Sequence, residues 1–267
     1  MIRDITIGQY YRTKSWVHNL DPRTKIISTI LIVLSLFLFG GLWEYIAAGL
    51  FVAIIIKVSN VPLKYIIRGL KPIVILLLFT AICQLFFTKT GTVVWDLGFT
   101  RIYSVAIRNA ILFTIRIIFL IIVTSMMTYT TTPNSLTDGL EVVLAPLRIF
   151  KVPVHDMAMI MSIALRFIPI LIEECDKIMK AQMARGADLE SGNVIKKAKN
   201  LVPVLVPLFI SAFKRANDLA LAMESRCYQG GEGRTKLHPL KYRKADYIAF
   251  SSIVIFIGVQ VGIKYFL

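Results

Sequence analysis

The sequence predicts an all-α, polytopic membrane protein, and three observations carry that prediction. Hydrophobic residues make up 56% of the 267 residues and the mean hydropathy is +0.69, more apolar side chain than a soluble fold of this size could hide. Several apolar runs approach the roughly 20 residues that a membrane helix needs. The charge is lopsided, 31 Lys and Arg against 16 Asp and Glu for a net +15, and the cations gather in alternate loops, as positive-inside bias requires.

The first 25 residues are polar and basic with no apolar core, so no cleavable signal peptide is expected. From Ile26 to Ile56 runs an apolar stretch broken only by Gly40-Gly41 and Glu44. Two short helices folded at the Gly-Gly turn suit it better than one long helix. Ile66–Phe87, Ala106–Met127 and Ala245–Phe266 supply three clearer spans, making about five. Arg3, Arg12, Lys14, Arg23 and Lys25 precede the first span, and Lys57, Lys64, Arg68 and Lys71 lie between the second and third. The intervening turn has no Lys or Arg, the loop with Lys89, Asp96 and Arg101 is poor in them, and the richest stretch runs from Arg148 to Lys244. That alternation predicts a cytoplasmic N-terminus, a cytoplasmic 129–244 region and an outer C-terminal tail. The expected organisation is an arm and four spans over 1–128, a cytoplasmic domain of about three long amphipathic helices over 129–243, and a last span over 244–267.

Within that domain Thr130-Thr131-Thr132 and Pro133 mark the exit from span four. Asn134-Ser135 are expected to cap a helix holding Leu136, Leu140, Val143 and Leu147, and Lys151-Val152-Pro153 to form a turn. Two longer stretches follow, from His155 to Gly186 and from Val202 to Cys227. Their apolar parts, Met157–Ile172 and Val202–Phe213, are short for a crossing; a seven-span reading is the alternative. In the first, Arg166, Glu173, Lys177 and Lys180 share a stripe, opposed by Met161, Ala164, Ile168, Leu171, Cys175 and Ile178. A 30-residue helix of this kind reaches about 45 Å. Pro169 is expected to kink the second helix, Pro203 to sit in the first turn of the third, and Gly230-Gly231-Glu232-Gly233 to end it in a flexible link.

Parts for chemistry are missing. Cys83, Cys175 and Cys227 form no C-x-x-C, and His18, His155 and His238 stand alone, so neither a metal set nor a Cys-His pair is suggested. The glycines at 230–233 lack phosphate-loop spacing. Glu173-Glu174 and Asp176 read as a solvated helix face. No catalytic residue, cofactor or metal site is expected, and any ATP used is hydrolysed by another chain. Arg116, near the middle of span four, is expensive there and must face protein or a wet cavity. Contacts to backbone carbonyls, Gln84 or Gln260 would make it a helix lock; a substrate role would need intramembrane acids that no span offers in its middle.

Two small-Arg-small triplets remain, Ala184-Arg185-Gly186 and Ser225-Arg226-Cys227, each closing a long stretch. An arginine at a helix C-terminus is favoured by the macrodipole. Two of them, each between small residues that admit a partner surface, equally suit a guanidinium fork docking into an acidic groove. Spacing alone leaves both open.

Five ordered segments resemble the transmembrane coupling subunit, or T component, of energy-coupling factor (ECF) transporters: Leu20-Asp21-Pro22-Arg23-Thr24-Lys25; Thr131-Thr132-Pro133 through Leu147; Leu165-Arg166-Phe167-Ile168-Pro169; Ala181 through Gly186; and Ala222 through Tyr228. The second triplet departs from the family pattern, with Cys227 where glycine is usual. The resemblance implies that Arg185 and Arg226 each dock into one of two ATP-binding cassette ATPases. It further implies that the helices pass ATP-driven motion to a substrate-binding S component for uptake of a vitamin or metal ion. The Met157, Met159, Met161, Met179 and Met183 stripe would suit an adaptable contact surface, or hydrophobic core. A self-sufficient secondary transporter with a basic regulatory domain is the rival reading. Nucleic acid is not an expected partner, for no aromatic-basic platform accompanies the positive charge.

Overall fold

The computed structural model describes residues 10–88, 90–96, 101–187, 193–230 and 239–266. Helices α1 (Pro22–Leu38) and α2 (Leu42–Ser59) fold back at Gly40-Gly41, as the sequence predicts. The Asp21 carboxylate caps α1 by accepting the Arg23 N–H at 2.9 Å, and Glu44 reaches back to the Gly41 N–H at 2.7 Å. Helix α3 (Leu63–Leu70) passes through a 3₁₀ turn at Lys71–Ile73 into α4 (Val74–Phe87); Pro72, which has no N–H to give, sits in that turn. A small antiparallel hairpin follows, β1 (Val93–Asp96) and β2 (Arg101–Tyr103), with Val93 opposite Tyr103. The remaining helices are α5 (Ser104–Thr130), α6 (Pro133–Val143), α7 (Val154–Ala184), α8 (Val194–Glu224) and α9 (Lys244–Phe266).

Among the described residues four stretches are long and apolar enough to cross a membrane: Leu42–Ser59, Leu63–Phe87, Ser104–Thr130 and Lys244–Phe266. Helix α1, with 17 residues, stands at the short limit of the usual range of roughly 17–25. Outward-facing Leu78, Phe79, Val254 and Ile255 are all more than half exposed, a surface unfavourable in water and natural against lipid.

The chain divides into two compact units, one of α1–α6 and α9, the other of a 3₁₀ segment at Ala145–Phe150 with α7 and α8. In the first, α1 and α2 each pack on both α5 and α9, so four helices close on a core of Ile32, Leu36, Ala48, Val52, Val123 and Phe256. Phe51 stacks on Phe256 with centroids 4.2 Å apart. Helix α6 lies against α1 through Gly139, where a Cβ would stand 2.9 Å from Pro22 Cβ and 3.2 Å from its backbone carbon.

A polar knot ties the start of α1 to α5 and α9. Asp246 is fully buried and accepts the N–H groups of Asp21 at 2.8 Å and Arg243 at 2.7 Å. Arg23 pairs with Asp21 at 2.9 Å and lies 4.0 Å over the Tyr242 ring. The buried Lys25 ammonium donates to the carbonyls of His18 and, at 2.8 Å, Thr130, where the negative end of the α5 dipole favours a cation. The Leu20–Lys25 motif is thus a structural fastening.

Three local expectations need correction. The α6 cap is Thr132, whose hydroxyl oxygen accepts the Ser135 N–H at 3.3 Å, and not Asn134-Ser135; Pro133 then fills the first helical position, where no N–H is required. Leu147 falls in the 3₁₀ segment beyond α6. Helix α8 begins at Val194, so Pro203 and Pro207 are interior rather than in its first turn. Pro169 is interior to α7, as expected, and Lys151, with φ 60°, makes the predicted turn. Of the glycine cluster, Gly231, Glu232 and Gly233 lie outside the described residues.

Candidate functional site

Helices α7 and α8 are equal in length, 31 residues each, and they stop in the same way. At the end of α7 the Gly186 N–H donates to the Met183 carbonyl at 3.0 Å and the Ala187 N–H to the Gln182 carbonyl at 3.0 Å. At the end of α8 the Cys227 N–H donates to Glu224 at 2.8 Å and the Tyr228 N–H to Met223 at 3.0 Å. Both are Schellman turns, which satisfy carbonyls that a helix end leaves free and need a left-handed residue just past the cap. Gly186 takes that place with φ +88° and Cys227 with φ 58°.

The hydrogen bonds therefore set Arg185 and Arg226 at one structural position, the residue before the left-handed turn. All six triplet residues, Ala184, Arg185, Gly186, Ser225, Arg226 and Cys227, are exposed. The glycine of the first triplet serves the backbone first: apart from its chain neighbours, no atom of the described residues lies within 4 Å of where its Cβ would be, and its positive φ demands it. Cys227 adopts the same conformation at a cost of about 1–2 kcal/mol.

What holds the two helices together escaped the sequence reading. Glu174 stands in the contact between the helices rather than on a solvated face: it accepts the Ser211 hydroxyl at 2.6 Å and, on its other oxygen, both Nε (3.1 Å) and Nη2 of Arg215. The Ser211 hydrogen bond first, and Arg215 second, hold the Glu174 carboxyl below its ordinary value. A signal was present: Glu174 and Arg215 are offset by the same 41 residues that separate Arg185 from Arg226. Arg185 follows Glu174, and Arg226 follows Arg215, by 11 residues, about three turns and roughly 16 Å along a helix. Eleven residues return a helix nearly to its starting face, so each arginine is phased to the clamp.

The expected apolar face of α7 is divided. Leu171, Cys175 and Ile178 are partly buried, whereas Met161, Ala164 and Ile168 are exposed. Of the methionine stripe, Met157, Met161 and Met183 are about half exposed and Met159 and Met179 less so.

Arg116 meets neither Gln84 nor Gln260. Its Nε donates to the hydroxyl of the buried Tyr45 on α2 at 2.6 Å, and a Cβ on Gly40 would stand 3.1 Å from its Nη2. Gln84 instead accepts the Thr88 hydroxyl at 3.3 Å. The arginine thus joins α5 to the α1–α2 turn. Among the described residues no group of three His, Cys, Asp or Glu side chains is placed to hold a metal ion.

Residues 13–237 match the family described as CbiQ, cobalt transport protein. Three relatives named energy-coupling factor transporter transmembrane protein EcfT align over nearly their whole length. That of Ruminiclostridium cellulolyticum is 51% identical over 99% of both chains. That of Clostridium kluyveri is 50% identical over 98% of this chain and 97% of its own. The Bacillus subtilis protein is 46% identical over 96% of each.

Proposed function

The chain belongs to the cobalt transport protein (CbiQ) family, and from that membership we propose that it is the energy-coupling T component of an ECF-type importer. Two ATP-binding cassette ATPases dock on it, one at Arg185 and one at Arg226, and a membrane-embedded S component receives the motion and carries a vitamin or metal ion. The chain is scaffold and lever, and ATP is hydrolysed by the ATPases. Residues 129–243 act as the cytoplasmic coupling domain, between spans in 1–128 and 244–267, with the N-terminus inside and the C-terminus outside. Arg116 locks the membrane helices through Tyr45.

The observation that carries this reading is the matched pair of helix ends. Two partners of one architecture need two equivalent contacts, and the identical Schellman turns offer the same exposed arginine twice. An arginine fork suits an acidic groove, and truncating such a contact costs about 2–5 kcal/mol.

Arg185→Ala with Arg226→Ala tests it. The double variant should insert normally, lose its ATPases on co-purification by at least tenfold, and abolish uptake. Full ATPase recovery would defeat the docking role.

A further inference from the structure

Where α1, α2, α5 and α9 meet beneath the N-terminal arm, a cavity of about 110 Å³ opens above the core. Its walls are apolar, among them Val52, Ile122, Val123, Met126 and Ile253. A dry cavity of about 150 Å³ with such walls takes benzene, so this one accommodates a segment of hydrocarbon and has little to offer water. One end differs. Lys25 lines it, is 7% exposed, and spends two of its N–H donors on the carbonyls of His18 and Thr130; an ammonium has three. Ser28, about one helical turn beyond Lys25 on α1, also lines the cavity, and its enclosed hydroxyl finds no hydrogen-bond partner among the described residues. Trp16 and Ser252 also line the cavity and are themselves exposed, which gives it a mouth between the arm and α9.

We propose that this cavity is a binding site for a membrane glycerophospholipid, its acyl chain between α1, α5 and α9 and its ester carbonyl accepting from Lys25 and Ser28. Charge selects an ester over a free carboxylate. Asp21 and Asp246 already offset Lys25 and its neighbour Arg23, so the site lacks an acceptor and has no surplus positive charge to neutralise. The membrane is the source, since α2, α5 and α9 have the length and composition of spans. None of the cavity's lining residues belongs to the helix ends that would hold ATPases, and its occupancy stands or falls independently of that docking.

The test is photocrosslinking of the full chain in lipid nanodiscs doped with phosphatidylglycerol bearing a mid-chain diazirine, the adducts being mapped by mass spectrometry. Inward-facing Val123, Met126 and Ile253 should be labelled beside outward-facing Val254 and Ile255. Ser252→Phe, which closes the exposed mouth, and Val52→Phe, which fills the void, should each lower the inward labels several-fold and spare the outward ones. Inward labels that are missing from the native chain, or unchanged in both variants, would overturn the site. Inward labelling by a diazirine palmitate probe but not by the phospholipid would overturn the ester assignment.

Discussion

Arg185 and Arg226 owe their placement to backbone hydrogen bonds, and the residue after each decides how cheaply the turn forms. Cys227→Gly should therefore raise the thermal midpoint in detergent, by about 1 kcal/mol of stability, without loss of ATPase binding. Gly186→Ala should lower it by a similar amount although, chain neighbours apart, no atom of the described residues stands within 4 Å of the new methyl group; an unchanged midpoint would show that the left-handed turn is not strained. The triplets were legible in the sequence as small-Arg-small, but smallness pointed to a partner's approach. That glycine answers first to φ was hidden, because a Schellman turn depends on the residue at which a helix stops, and helix ends are read poorly from pattern. At Arg116 the partner was likewise out of reach: Tyr45 lies 71 positions away and becomes a neighbour only once α2 packs on α5. Tyr45→Phe should cost about 1 kcal/mol, and Arg116→Leu combined with it should add less than the two alone, measured by a double-mutant cycle on thermal unfolding.

At the scale of elements, the Glu174 clamp makes the α7–α8 contact sensitive to acid. Its carboxyl is held below its ordinary value, first by the Ser211 hydrogen bond and then by Arg215, so the contact is fully stabilised above that ordinary value and loses the contribution as pH falls through the lower, folded one. Spin labels on α7 and α8 should show a broader distance distribution in acid, once the pH falls below the ordinary carboxylate range, and Glu174→Gln should show that broadening already at neutral pH. If the mutant distances match the native ones, the clamp does not hold the helices. In the membrane unit, Gly139→Val should separate α6 from α1 at about 1–3 kcal/mol, seen as faster hydrogen exchange in α6. The Gly-Gly hairpin and the three long spans were readable because apolar runs and turn residues are local signals. The early start of α8 was not: Lys196, Lys197 and Lys199 interrupt apolar periodicity there, and Pro203 and Pro207 mimic a beginning. The pairing of β1 with β2 leaves little sequence signal because the strands are four and three residues long.

For the whole molecule, fold class and family were legible because composition, flanking charge and five ordered motifs agree with one another. Pairwise ties across the chain were not, since Asp246 meets Asp21 across 225 positions. The proposed orientation predicts that exposed Cys227 reacts with a membrane-impermeant maleimide in inside-out vesicles and is protected in right-side-out ones. The reverse pattern would invert the topology. The central claim is that two equivalent arginine-bearing helix ends grip two ATPases, and co-purification of those ATPases with the Arg185→Ala, Arg226→Ala chain from membranes tests it most directly. The expected result is a fully inserted chain that has lost both ATPases; a double variant that brings them down in native amounts would show that the arginines do not hold them.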